Sequence, residues 1–219
     1  FLGIRAFRNA FRAEAPFTFT GTPAEAYAML DQHALQIVEK ESEAKKFNEQ
    51  EELFELVVSR YVETSDTRTE LKLLKNVWDM KALVLGTYES WSPQTWNDIK
   101  TEELEDVNKL LLKNLKKMSN ETPVIKGWKV YRDIEDEIKN MNIILPMIND
   151  LHSNAMRDRH WLALQKVCGQ KFVVDERFTL DNLLALGLHN FVDDVQGIVD
   201  RAQKELIIEK ALTKTETTW

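Results

Sequence analysis

One cysteine, Cys168, is all this chain carries, so no internal disulfide forms and a reducing compartment is expected. Glycine (7) and proline (5) are scarce, which excludes collagen-like and low-complexity classes. No apolar run approaches the roughly 18 residues needed to span a bilayer. Phe1 to Ala15 is basic and aromatic but lacks the apolar stretch of a signal peptide. The glycines are scattered singly, with neither GxxxxGK[ST] nor GxGxxG, so no loop here cradles a phosphate. Basic excess is also missing. Lys and Arg number 29 against 36 Asp and Glu, a net charge of -7 that argues against a nucleic-acid partner. No fixed-period repeat is present.

What is present is a helix-rich, well-packed composition. With 219 residues and 43% hydrophobic content, the chain builds one substantial core or two small ones. Charged residues make up 30%. The chain begins without Met and reads as a piece of a longer polypeptide.

Phe1 to Phe19 shows no clean period, and with the Ala15-Pro16 and Gly21-Thr22-Pro23 breaks it reads as an extended arm over 1–21. Thr22-Pro23-Ala24-Glu25 is a capping box with Pro at the first helical position. Ala26, Leu30, Ala34 (or Leu35) and Val38 continue one apolar stripe, and Phe47 to Tyr61 repeats it through Leu53, Phe54, Val57, Val58 and Tyr61. Glu63 to Thr69 reads as a polar loop or joint, and Leu71 to Tyr88 as an apolar helix. Thr101 opens a helix with acidic first turns and basic last turns, which complements its dipole. Thr122-Pro123 marks a boundary, giving helical subdomains 22–120 and 121–219. Leu145-Pro146 should interrupt a helix. The next runs from about Met147 to Val167, with a break at His152-Ser153-Asn154 and Gly169 as C-cap. Phe172-Val173-Val174 has strand character. Thr179 caps a short helix, and a long helix runs from Asn190 to about Thr215. The expected fold is all-α, an elongated stack of antiparallel helices with at most a short β-hairpin near Phe172 to Phe178.

Candidate chemistry is thin. His160 with Asp158 as an orienting carboxylate would make a general base, but residues two apart on a helix do not face each other. A half-buried His160-Trp161 pair anchoring a helix is the plainer reading. His33, His152, His160 and His189 lack metal-ligand spacing. Glu205 and Glu209 share one helix face, as in di-iron bundles, but the Glu-x-x-His partner is missing, so an inter-helix or solvated ion-pair role is favoured. The segment Lys109 to Lys117 reads as a core-facing Leu stripe with a solvated Lys face rather than a membrane helix. The strongest compositional signal is six tryptophans, Trp78, Trp91, Trp96, Trp128, Trp161 and Trp219, beside helix ends or on apolar faces. Each suits a lock between helices, because a rigid ring buries much area for little lost entropy. Trp161 in particular reads as a buried joint.

The chain resembles the linker region of dynein heavy chains. The resemblance runs through Ala26-Tyr27, Leu30, Glu51 to Phe54, Leu74 to Trp78, Trp91, Trp96 to Ile99, Trp128, Leu145-Pro146, Leu151 and Phe178-Thr179-Leu180. It is most distinctive in Met156-Arg157-Asp158-Arg159-His160-Trp161 and in the helix with Ala202, Glu205, Ile208 and Glu209 that closes on Trp219. The last third looks axonemal, of outer-arm type. The resemblance implies a mechanical arm next to the tail, with 22–120 as a linker and tail-junction subdomain and 121–219 as a linker subdomain. It implies coupling between ATP-driven changes in an AAA+ ring and movement of the tail along microtubules. It also implies ATP and Mg sites elsewhere in the parent chain, with no cofactor, metal or catalytic residue in this segment. Its partners would be the ring and tail of the same heavy chain, other dynein chains and, indirectly, microtubules, with no membrane and no nucleic acid. It would work in the cytoskeleton of a ciliary or flagellar axoneme. A non-motor helical scaffold binding partner helices is the rival reading. The structural anchors expected are Trp78, Trp91, Trp96, Trp128, Pro146, Arg159, His160, Trp161, Glu205, Glu209 and Trp219.

Overall fold

The structure, a computed structural model, describes residues 2–216; Trp219 lies outside them. Eight α-helices occur among the described residues: α1 (Leu2–Glu14), α2 (Pro23–Leu53), α3 (Val62–Trp91), α4 (Thr101–Glu121), α5 (Lys129–Leu151), α6 (Asp158–Cys168), α7 (Leu180–Leu184) and α8 (Val192–Glu216). No strand forms among them, so the fold is all-α. The expected hairpin near Phe172 is replaced by one isolated antiparallel bridge between Thr95 and Thr179. The chain packs as two compact units, Phe1–Leu85 with Leu115–Glu135, and Gly86–Asn114 with Asp136–Trp219. Each unit draws on two stretches of chain, so no single boundary divides them.

In the first unit, the expected extended arm is instead helix α1. Ile4 and Phe11 are buried on it, with Phe7 half-buried between them. Its other face carries Arg5, Arg8 and Arg12, which meet Glu63, Asp66 and Glu70 at 3.4, 2.7 and 3.3 Å. Both triplets have the helical spacing three then four, so α1 lies parallel to the start of α3. That ladder also explains why Glu63 to Thr69 is helix rather than loop. Thr67 and Thr69 hydroxyls add bonds back to the carbonyls of Glu63 and Ser65. Helices α2 and α3 are antiparallel, joined by Tyr27 to Asp79 at 2.9 Å and by Arg68 to Glu41.

The expected capping box starts α2: Thr22 accepts from the Glu25 amide, and Glu25 accepts from the Thr22 amide. The helix ends at Leu53 rather than continuing to Tyr61. Leu56 N–H bonds the Glu51 carbonyl and Glu55 N–H bonds that of Glu52, a Schellman ending. Glu55 occupies the left-handed position at φ 56. Such a residue costs about 1–2 kcal/mol where glycine would not. The Glu51 carboxylate then accepts the amide and hydroxyl of Ser59, folding the loop back. The stripe expected to be buried is therefore exposed, Val57 at 92%.

In the second unit, α4 and α5 run antiparallel, with Thr101 near Asn149 and Asn108 near Asn142. Buried Asn108 joins three helices. Its amide donates to the Ile138 carbonyl (3.0 Å) and Asn142 Oδ1 (2.8 Å), and its Oδ1 accepts from Tyr88 (2.6 Å). Burial, then the charge of Glu137, holds the Tyr88 phenol well above its ordinary range. Pro146 does not interrupt α5; it lies within the helix on the exposed side. A mid-helix proline costs about 3 kcal/mol. Burial of Ile144, Leu145, Met147 and Ile148 outweighs that cost, at about 1.5–3 kcal/mol each. The break at His152 to Asn154 is present, because α5 stops at Leu151 and α6 starts at Asp158.

Candidate functional site

Helix α6 starts where Arg157 takes an extended conformation, φ -126 and ψ 165, and stops at Gly169, whose φ of 67 favours glycine. Asp158 occupies its first position, at the positive end of the helix dipole. His160, 2% exposed, turns back so that Nδ1 accepts the Arg157 backbone N–H at 3.1 Å. A donor at Nδ1 leaves the ring proton on Nε2. Nε2 points at Glu205 Oε2 of α8, 3.0 Å away.

Two arginines complete the cluster. Arg159 Nε donates to Glu205 Oε2 at 2.6 Å, its terminal nitrogen also contacts Glu205, and the same nitrogen reaches Glu209 Oε1 at 3.2 Å. Arg157 donates to Glu209 Oε2 at 3.0 Å and to the Asn154 carbonyl at 2.6 Å. The bond to Arg159 leads in holding the Glu205 carboxyl below its usual range; Arg157, then Arg159, does the same for Glu209. The pairing order, 157 with 209 and 159 and 160 with 205, makes α6 and α8 antiparallel. Beneath the charges Leu164, Val195, Ile198 and Val199 share one apolar core. The expected Glu205/Glu209 ion-pair role has partners on α6; Arg201 and Lys204, its sequence neighbours, make no ion pair with them among the described residues. Nor does Asp158 orient His160: Glu205 and the Arg157 amide hold it.

Beside this clamp lies an aromatic cluster. Trp96 stacks on His152 at 3.9 Å and meets Trp161 edge-on at 5.6 Å; Trp161 meets Phe172 at 6.3 Å. Burial pushes the His152 pKa down, which favours the neutral form of the stacked ring. Trp161 is half-buried against this core rather than fully enclosed. Trp91 is buried in the same core. In the other unit Trp78 is fully buried, donates to the Pro16 carbonyl at 2.9 Å and carries the Lys81 ammonium 4.9 Å from its ring centre. Trp128 packs edge-on to Phe17 at 4.9 Å. Sequence reasoning missed Asn108, Arg157 as a partner of Glu209, and the Arg5-Arg8-Arg12 ladder. The matched three-and-four spacing of 5, 8, 12 and 63, 66, 70 was the available signal for the ladder. Among the described residues no group of three or more His, Cys, Asp and Glu is placed to hold a metal ion, and no helix is long and apolar enough to cross a membrane.

Fold and clamp together define a helical module in which two arginines and a histidine join two glutamates across a pair of helices. The chain belongs to the dynein heavy chains: the family described as "Dynein heavy chain, N-terminal region 2" matches residues 64–219. The flagellar outer-arm dynein beta chain of Chlamydomonas reinhardtii is 38% identical over 229 residues, covering 99% of this chain. The ciliary dynein beta chain of Tripneustes gratilla is 37% identical over 213 residues, and axonemal heavy chain 17 of Homo sapiens 33%, each covering 97% of this chain. The chain spans 5% of the length of each of these relatives.

Proposed function

We propose that this chain is the amino-terminal part of a heavy-chain linker, a mechanical segment that couples ATP-driven changes in an AAA+ ring to movement of the tail along microtubules. The observation that carries the reading is the α6–α8 clamp. It is built from the two motifs that carry the likeness to the linker, Met156 to Trp161 and Ala202 to Glu209. Its geometry resists axial sliding. A shift of one helical turn, about 5.4 Å, sets Glu209 against His160 and leaves Thr213 opposite Arg157. Only the observed register pairs both carboxylates. Two helices held in register transmit load along their length.

In this reading the segment turns over no nucleotide itself; ATP and Mg act elsewhere in the heavy chain. Its partners are the ring, the tail and other dynein chains, and it works in a ciliary or flagellar axoneme, as the names of its relatives suggest. Membership in the heavy chains weighs against a stand-alone adaptor. The test pairs gliding velocity with ATPase rate in the full heavy chain carrying Ala202→Pro, which breaks α8 beside the clamp. Retained ATPase with slowed gliding supports coupling; unchanged gliding opposes it.

A further inference from the structure

The segment from Lys171 to Asp175 reads Lys-Phe-Val-Val-Asp and follows Gly169 at the end of α6. Its residues alternate in exposure: Lys171, Val173 and Asp175 are exposed, Phe172 and Val174 half-buried. That is the period of an extended chain with one face on a core. Phe172 stacks on Phe178 at 5.6 Å and anchors that face. The Phe172 carbonyl accepts from Gln165 Nε2 at 2.7 Å, so one edge of the segment looks toward α6. In an extended chain the next residue presents its polar groups to the opposite edge. Among the described residues no backbone hydrogen bond joins Lys171, Val173 or Val174 to another main-chain group. Val173 is 75% exposed. The segment has the composition and placement of a strand edge, without a second strand.

We propose that this edge pairs antiparallel with the same segment of a second copy of this chain, about a two-fold axis at Val173. The sequence is self-complementary in charge. Centred on Val173, the pairing sets Lys171 of each copy opposite Asp175 of the other, and Phe172 opposite Val174. Lys171, Val173 and Asp175 then share the exposed face, so both charge pairs and the Val173 pair meet directly. The two Val173 residues exchange N–H and C=O, and each Asp175 N–H faces the other copy's Lys171 carbonyl. The Asp175 carbonyl already accepts from Phe178 N–H at 3.0 Å, which ends the ladder there. An unrelated extended peptide has no reason to supply this charge order. Five residues bury far less than the roughly 1,600 Å² of a standard stable interface. The association is therefore weak in free solution and gains strength where an assembly holds two copies side by side.

The test is sedimentation equilibrium of the chain over a wide concentration range near physiological salt. The parent should show a reversible monomer–dimer equilibrium. Lys171→Asp and Asp175→Lys each set like charges opposite one another, and each alone should lower the association constant about tenfold. An equimolar mixture of the two variants restores both opposite-charge pairs and should dimerise like the parent. Val173→Pro, which removes the central N–H, should abolish dimerisation. All three positions are exposed, so helical content by circular dichroism should stay unchanged. A parent that is monomeric throughout, a dimer indifferent to single charge reversal, or a mixture no better than its components would each overturn the proposal.

Discussion

Nε2 of His160 lies 3.0 Å from Oε2 of Glu205, 45 residues further along the chain, while its Nδ1 receives the Arg157 backbone N–H. One buried ring thus fixes both the start of α6 and its attachment to α8. His160→Ala leaves the Arg157 amide without its acceptor and opens a gap beneath Glu205. It should lower stability by about 1–3 kcal/mol in urea unfolding. Asp158→Asn should change little, since Asp158 does not hold the ring. A larger loss for Asp158→Asn than for His160→Ala would contradict this assignment.

The clamp should depend on pH from the acidic side. Glu205 and Glu209 have folded-state pKa values below the ordinary carboxylate value of 4.5, chiefly through the arginines. Their contribution is fully present above the unfolded value and is lost as pH falls through the folded ones. Melting temperature should therefore drop on acidification below about pH 4.5 more steeply in the parent than in a Glu205→Gln, Glu209→Gln double variant. Parallel curves for the two proteins would show that the carboxylates carry no such linkage.

Asn108 is a second polar joint between helices. It is buried, with amide and carbonyl oxygen all bonded, to Ile138, Asn142 and Tyr88. Asn108→Ala takes the partner from the Tyr88 hydroxyl and from Asn142 Oδ1, and should cost about 2–3 kcal/mol. Asn108→Ala and Tyr88→Phe should be non-additive in a double-mutant cycle. Additive losses would mean that the pair does not act as a unit.

The parallel placement of α1 on α3 predicts a pairwise coupling. Arg8 and Asp66, 2.7 Å apart, should couple by about 0.2–1 kcal/mol, weakening with salt. Reversing either charge alone should destabilise, and the exchange Arg8→Asp with Asp66→Arg should recover part of the loss. A register shifted by one turn would instead couple Arg8 to Glu63 or Glu70.

Much of the fold was legible because its signals are local. The Thr22 and Thr179 caps, the Gly169 stop and the break after Leu151 all act within a few residues. The errors arose where distant packing decides. Pro146 stays in α5 because the buried residues around it outweigh its missing N–H. Helix α2 ends without glycine, since Glu55 takes the left-handed position itself. A helical signal of α1 lies in charges matched to the same spacing 58 residues later. For the site, the sequence placed Arg159, His160, Glu205 and Glu209 on two helices and gave Glu205 and Glu209 an ion-pair role. Which arginine meets which carboxylate depends on the register of α6 against α8, which no local spacing encodes.

The proposed coupling requires this clamp to carry load. The most direct measurement is paired gliding velocity and ATPase rate for a full heavy chain carrying Glu205→Arg and Glu209→Arg. A companion adds Arg157→Glu and Arg159→Glu to exchange the charges. The account predicts that the first variant keeps its ATPase rate while gliding slows, and that the exchanged variant recovers velocity. Gliding at parental speed in a folded first variant would contradict the mechanical role of the clamp.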